Sequence, residues 1–183
     1  MGYLRLVSPP AVAPTLESAC LDAFERELDY LFETIRRLGA RPSEIEDLVQ
    51  DVFVVLHRNW PTLDTTRPLR PYLFGVAFRI VCAHRRRQAR EIPCPGLDSE
   101  DMGGSPEFLL QSKESVGLLM AALERVHLPR RAVLVMHDLD GVPIADVARS
   151  LSITRFGAYA RLRKARGELA TAVRRLLKER VAR

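Results

Sequence analysis

Between residues 24 and 38 the apolar side chains Phe24, Leu28, Leu31, Ile35 and Leu38 recur at alternating spacings of four and three. Only an α-helix puts such a series on one side, because about 3.6 residues complete a turn. The period returns in Ile45, Leu48/Val49, Val52 and Leu56, in Leu73, Val76 and Ile80, and in Ala158, Leu162, Ala165, Leu169, Val173 and Leu176. No stretch alternates with period two and no segment repeats, so the spacing predicts an all-α fold.

Punctuation divides these stripes. Gly39 ends a first helix over 15–38, and Ser43 with Glu46 has the spacing of a capping box that opens a second. Trp60-Pro61 stops that helix, and a loop over 61–71 leads to a third over 72–89. The stretch 91–106 holds three Pro and three Gly with almost no apolar periodicity, which marks a flexible linker. Beyond it the expected helices are 106–126, 129–139 with Pro129 in its first turn, 144–151, and 155–180. The expected organisation is a tail over 1–14, a helical domain over 15–90, the linker, and a second helical domain over 107–183.

Charge is distributed in blocks. The net charge of +5 hides four acids and no Lys or Arg over 42–57, seven Arg and no acid over 67–90, five acids and no base over 91–107, and ten Lys+Arg against two Glu over 154–183. Arginine supplies 25 of the 28 cations, and its planar fork suits phosphates and base edges. Two basic blocks with acidic ones between them point to two polyanion-facing surfaces and at least one further partner. No apolar run reaches the roughly 18 residues that span a bilayer, so membrane insertion is not expected. The start MGYLRLVSPPAVAP has no signal-type apolar stretch, and the expectation is a cytosolic protein.

Enzyme and metal chemistry find no support. Cys20, Cys82 and Cys94 are odd in number and far apart. His57, His84, His127 and His137 are scattered without the ligand spacing of a tetrahedral site. There is no Gly-rich phosphate loop, GxSxG or HExxH. Neither catalytic activity, a metal nor a cofactor is expected.

The segment PIADVARSLSITRFGAYARLRKAR has helix-turn-helix dimensions: a short helix, a three-residue turn, and a second helix launched from Thr154, whose hydroxyl can cap it. In a major groove that helix would present Arg155, Tyr159 and Arg163, with Arg161, Lys164 and Arg166 towards the flanking phosphates.

The string IEDLVQDVF, then Trp60, the Pro-rich loop and RPYLFGVAFRIVCAHRRRQAR, resembles region two of the bacterial sigma-seventy family in its short extracytoplasmic-function branch. The second half resembles that family's region four, from Leu128-Pro129 through the Gly141 turn and IADVA to RLRKAR. The resemblance implies a region-two three-helix bundle and a region-four helix-turn-helix on a flexible linker. It implies that Asp47, Gln50 and Asp51 dock on the Arg-rich coiled coil of the β′ clamp of core RNA polymerase, with further contact at the β flap. It also implies that the first domain melts and captures the minus-ten element of promoter DNA. Candidates there are Arg67, Arg70, Tyr72 (where the family usually has Trp), Arg79 (often Asn), Arg85, Arg86, Arg87 and Arg90. The minus-thirty-five candidates are Thr154, Arg155, Tyr159, Arg161, Arg163, Lys164 and Arg166. Phe74 and Phe78 could stack on bases or pack in the core.

Phe156-Gly157-Ala158-Tyr159-Ala160-Arg161 stands where the family has Gly-Thr-Val-Lys-Ser-Arg, and Gly157 weakens the first turn by up to about 1 kcal/mol. The implied partners include an anti-sigma factor, which can hold this bacterial cytoplasmic protein near the membrane. On this reading the two domains are oriented only on the polymerase. The alternatives are a helix-turn-helix regulator that works without polymerase and a sigma-like interaction protein that no longer reads promoters.

Overall fold

Breaks in the apolar stripes set where each helix ends. In the computed structural model, which describes residues 16–91 and 112–181, the first stripe is carried by α1 (Leu16–Arg26) and α2 (Leu28–Arg37). The single helix expected over 15–38 is interrupted at Glu27. Its amide closes a tight turn on Phe24 O at 3.0 Å, and its carboxylate accepts from Arg70 at 2.7 Å. The bend lets α1 lie on α3 while α2 packs on both α3 and α4.

Gly39 takes φ +88°, a left-handed conformation that costs glycine no steric penalty. A 3-10 turn, Pro42–Glu44, then runs into α3 (Ile45–Asn59). Ser43 and Glu46 do not form the expected box. The turn begun at Pro42 shifts the entry two residues earlier, and Glu44 accepts from the Arg41 amide at 3.1 Å. A second 3-10 turn, Trp60–Thr62, ends α3, and α4 (Leu69–Glu91) starts three residues before its expected position. Pro71 fits there because first-turn amides need no helical acceptor.

Leu31 and Ile35 of α2 with Leu38 just after it, Leu48, Val52 and Leu56 of α3, and Leu73, Phe74 and Ala77 of α4 form the buried centre of this first bundle. Phe74 is therefore core, and Phe78 is half-buried against that core.

The second module comprises α5 (Ser112–Glu124), α6 (Leu128–Leu134), α7 (Ile144–Ser150) and α8 (Arg155–Val181). A wide π turn, Val135–Leu139, extends α6, and Gly141 at φ +69° reverses the chain before α7. The α7–α8 turn passes through Ser152 at φ +55°. The tail over 1–14, the linker beyond residue 91 and the part of the expected helix before Ser112 lie outside the described residues.

The modules meet directly, α2 against α5 and α4 against α7, and their cores merge into one cluster. Three features make this joint. Arg131 of α6 is 1% exposed and donates to Leu38 O at 3.0 Å across the joint, and to Val126 O at 3.1 Å and Glu124 O at 2.5 Å within its own module. Asp140 accepts from Tyr30 Oη at 2.9 Å and from Arg37 at 3.1 Å. Gly75 of α4 allows close approach to the end of α7, since a Cβ there would lie 2.5 Å from Ser150 O. The domains are thus oriented by their own contacts and not, as expected, only on the polymerase.

A methyl at Gly39 would meet Arg131 Nη1 in hard contact and lie 2.6 Å from Arg85 Nη2, in a backbone conformation that disfavours side chains. Gly39→Ala should cost at least about 1 kcal/mol from the left-handed backbone alone. The check is a lower urea midpoint with an unchanged slope.

Candidate functional site

The sequence-selected residues fall into three groups. The first is the outer side of α3. Its inner side is filled by Ile45, Leu48, Val49, Val52 and Leu56, which leaves Asp47, Gln50 and Asp51 exposed together on the outer side. None of the three makes a hydrogen bond or ion pair among the described residues. The structure adds Val54, which lies on the same line one turn further on and is 51% exposed. A shallow depression lined by Phe53, Val54, His57 and Arg58 continues the face. The spacing of three from Asp51 is visible in the sequence, but a valine inside the apolar run Val52–Leu56 carries no sign of exposure.

Along the loop and α4 the arginines divide. Arg67 pairs with Asp64 at 2.9 Å, and Arg70 pairs with Glu27 while its guanidinium lies 5.0 Å from the Tyr30 ring centroid. Tyr72 accepts a hydrogen bond from Asn59 Nδ2 at 3.1 Å. Arg79 reaches Ser150 O at 3.5 Å across the joint. Arg85 is half-buried and donates to Gly39 O at 2.8 Å. Arg86 bonds Cys82 O in its own helix, and both it and Arg87 point to solvent. The Arg90 side chain lies outside the described residues. In this closed arrangement Arg86 and Arg87 form the open cationic end, whereas Arg79 and Arg85 serve the joint or the end of α2.

The third group is concentrated on α8. Thr154 Oγ1 accepts from the Gly157 amide at 3.0 Å, so the cap expected from the sequence forms. A Cβ at Gly157 would sit 3.0 Å from that same oxygen, so the glycine leaves the cap uncrowded. Ala158, Leu162 and Ala165 face the core, while Arg155, Tyr159, Arg163 and Lys164 face outwards with no hydrogen bond or ion pair among the described residues. Arg161 is half-buried. Arg166 is tied to Asp138 at 2.9 and 2.7 Å, which anchors α8 to the turn after α6. Phe156, which the charge pattern did not select, is 84% exposed on the same helix.

Among the described residues no cluster of His, Cys, Asp or Glu could hold a metal ion, and no helix is long and apolar enough to cross a membrane. Burial pushes the Cys20 and Cys82 thiols above the usual range. At the joint, burial raises Asp140 despite the opposing pull of Tyr30 and Arg37.

Comparison with known proteins places both halves in one lineage. The family described as Sigma-70 region 2 matches residues 23–91, and the one described as Sigma-70, region 4 matches residues 117–169. Among curated proteins, the RNA polymerase sigma factor NccH of Alcaligenes xylosoxydans xylosoxydans is 25% identical over 145 residues, covering 76% of this chain and 78% of its own length. The ECF RNA polymerase sigma factor SigF of Caulobacter vibrioides is 27% identical, covering 77% of each chain. SigM of Mycobacterium tuberculosis, also an ECF sigma factor, is 28% identical over 74% of this chain and 68% of its own. Among solved structures, CnrH in complex with the cytosolic domain of CnrY shares the fold at a TM-score of 0.61 and 19% identity, over 85% of this chain and 87% of that one. The sigma factor RpoE in complex with the anti-sigma factor NepR from Bartonella quintana gives 0.62 and 18%, over 84% and 98%.

Thr154→Ala should cost about 1 kcal/mol, read as a lower denaturant midpoint, with Thr154→Ser retaining most of it. The hydrogen bond from Arg166 holds the Asp138 carboxyl below the usual carboxylate range. A depressed carboxylate stabilises the fold above its unfolded pKa of about 3.9, and that contribution is lost as pH falls through the folded value. Asp138→Asn should therefore unfold at a lower temperature than the parent near neutral pH, with the gap closing below about pH 4.

Proposed function

The chain belongs to the sigma-70 family, in its extracytoplasmic-function branch, and from that premise we propose how its surfaces divide the work of transcription initiation. The α3 face binds core RNA polymerase, the first module opens and captures the minus-ten region, and α8 holds the minus-thirty-five duplex. The observation that carries this division is the capped α8, with Arg155, Tyr159, Arg163 and Lys164 outward and unpaired among the described residues, in a chain that also presents the acidic outer face of α3. An acidic face repels DNA and attracts a basic protein surface, so the two surfaces take different partners.

On the α3 face, Asp47 and Asp51 steer the approach to a cationic coiled coil, Gln50 supplies an amide, and Val54 supplies an apolar contact that water would otherwise cover. On α8, the cap orders the first turn before DNA arrives, so the groove-facing residues need no further helix formation. The open end of α4, with Arg86 and Arg87, suits the backbone of a separated strand. Use of Arg79 and Arg85 on DNA requires release of their bonds to Ser150 and Gly39, so docking on polymerase is the step that exposes them. The two sigma factors of similar fold were solved with CnrY and with the anti-sigma factor NepR, and we propose that this chain likewise has an anti-sigma partner.

Reconstituted transcription with core polymerase tests the reading: transcripts from a shared pair of promoter motifs should appear only when the chain is added. A gel shift in which the isolated chain binds a specific duplex tightly, with no change on adding core polymerase, would favour a polymerase-independent regulator instead. Asp51→Arg should weaken association with core polymerase at least about tenfold while leaving stability within about 0.5 kcal/mol, because the side chain is exposed and unpaired. An unchanged affinity for β′ would remove the α3 face from the docking site.

A further inference from the structure

We propose that Phe156 is a specificity-determining residue of this chain, reading the C5-methyl group of a thymine in the major groove of the promoter duplex. The proposal rests on the reading of α8 as the duplex-binding helix and assigns it a contact that charge patterning does not supply.

Phe156 leaves 84% of its surface in water, in the first turn of a helix whose geometry Thr154 already holds. A single exposed apolar side chain would be unremarkable, but Phe156 and Tyr159 lie one turn apart on the same outward side of α8 and form an exposed aromatic pair. The direction of the ring narrows the choice of partner. Ala158, Leu162 and Ala165 define the buried side of α8, and Phe156 lies opposite them. Arg163, seven residues or about two turns further on, falls on the same outermost line, with Tyr159, 58% exposed, beside it. Ala160 lies between them and is small enough not to hold the backbone away.

From Thr154 to Gly167 there are five Lys+Arg and no acid. A partner for this face must be a polyanion that also offers an outward apolar group. Duplex DNA meets both conditions, since the thymine methyl is the one apolar group among the base edges of the major groove. Arg163 on the same line suits the O6 and N7 acceptors of a guanine, and Lys164 on its flank suits a phosphate. The face therefore combines one apolar reader with polar ones.

The experiment uses the holoenzyme, core polymerase with the full chain, and a promoter duplex selected by that holoenzyme from a random library. Each thymine of the upstream element is replaced in turn by deoxyuridine, which removes only the methyl group. At one thymine the parent holoenzyme should lose affinity about fourfold, the size of one methyl-scale apolar contact. Phe156→Ala should bind the two duplexes equally at that position, with the parent's affinity for the deoxyuridine form and an unchanged circular dichroism spectrum. Lys164→Ala should weaken both duplexes by the same factor and keep their ratio, as a phosphate contact does. The proposal is overturned if no position shows a ratio in the parent, or if Phe156→Ala preserves the parent's ratio at every thymine. If the parent holoenzyme selects no duplex, the assignment of α8 to promoter DNA fails, and the role of Phe156 fails with it.

Discussion

A guanidinium buried among backbone carbonyls organises this molecule. Arg131 reaches the end of α2 at Leu38 O and the end of α5 at Glu124 O and Val126 O, so one side chain serves two helix termini in two modules. The last carbonyls of a helix lack internal partners and carry the negative end of its dipole, which a buried cation complements. Burying that charge is tolerable only because donors and acceptors match in place. Gly39 is the other half of the arrangement. Its left-handed backbone and missing side chain leave room for Arg131 and for Arg85, both drawn to the same end of α2.

From this joint follows the division of the arginines. Cations close to the meeting of the modules are occupied by carbonyls and carboxylates, while Arg155, Arg163 and Lys164 on the outer side of α8 and Arg87 near the end of α4 have no partner among the described residues. Asp140 has the opposite role, placing a partly desolvated carboxylate between Tyr30 and Arg37. The surfaces proposed to meet partners lie away from these contacts. The α3 face and the α8 face both keep their charged groups in solvent, where long-range attraction acts on an approaching partner before contact.

Much of the fold was legible because it is local. Period-3.6 stripes named the helices, Gly39 and Gly141 stand at the positive-φ ends they were assigned, and the Thr154 cap forms three residues from its acceptor amide. The errors were local too. Glu27 interrupts what reads as one continuous stripe, because a side chain 43 positions away in sequence, Arg70, engages it. Pro42 begins a 3-10 turn that moves the helix entry ahead of Ser43. Phe74 and Phe78 read from sequence as core residues before base-stacking ones, and packing puts both against the core. Of the candidate site, the α3 triad and Arg155, Arg163 and Lys164 of α8 are exposed as their spacing implies, whereas Arg161 is half-buried, Arg166 is paired with Asp138, and Val54 and Phe156 emerged only once their neighbours were known.

The sequence by itself determined the all-α class, the two modules, the charge of each outward face and the cap that launches α8, since each depends on residues within a turn or two of one another. Tertiary structure decided which arginines remain available. Arg85, Arg86 and Arg87 are adjacent and alike in sequence, yet one turns inward to Gly39 while the other two face water. Arg131 reads as a surface cation beside Arg130, yet it is the most deeply buried charge among the described residues. The physical reason is that an arginine's fate depends on acceptors brought near by folding, and unpaired helix-end carbonyls from distant segments become acceptors only when the modules close.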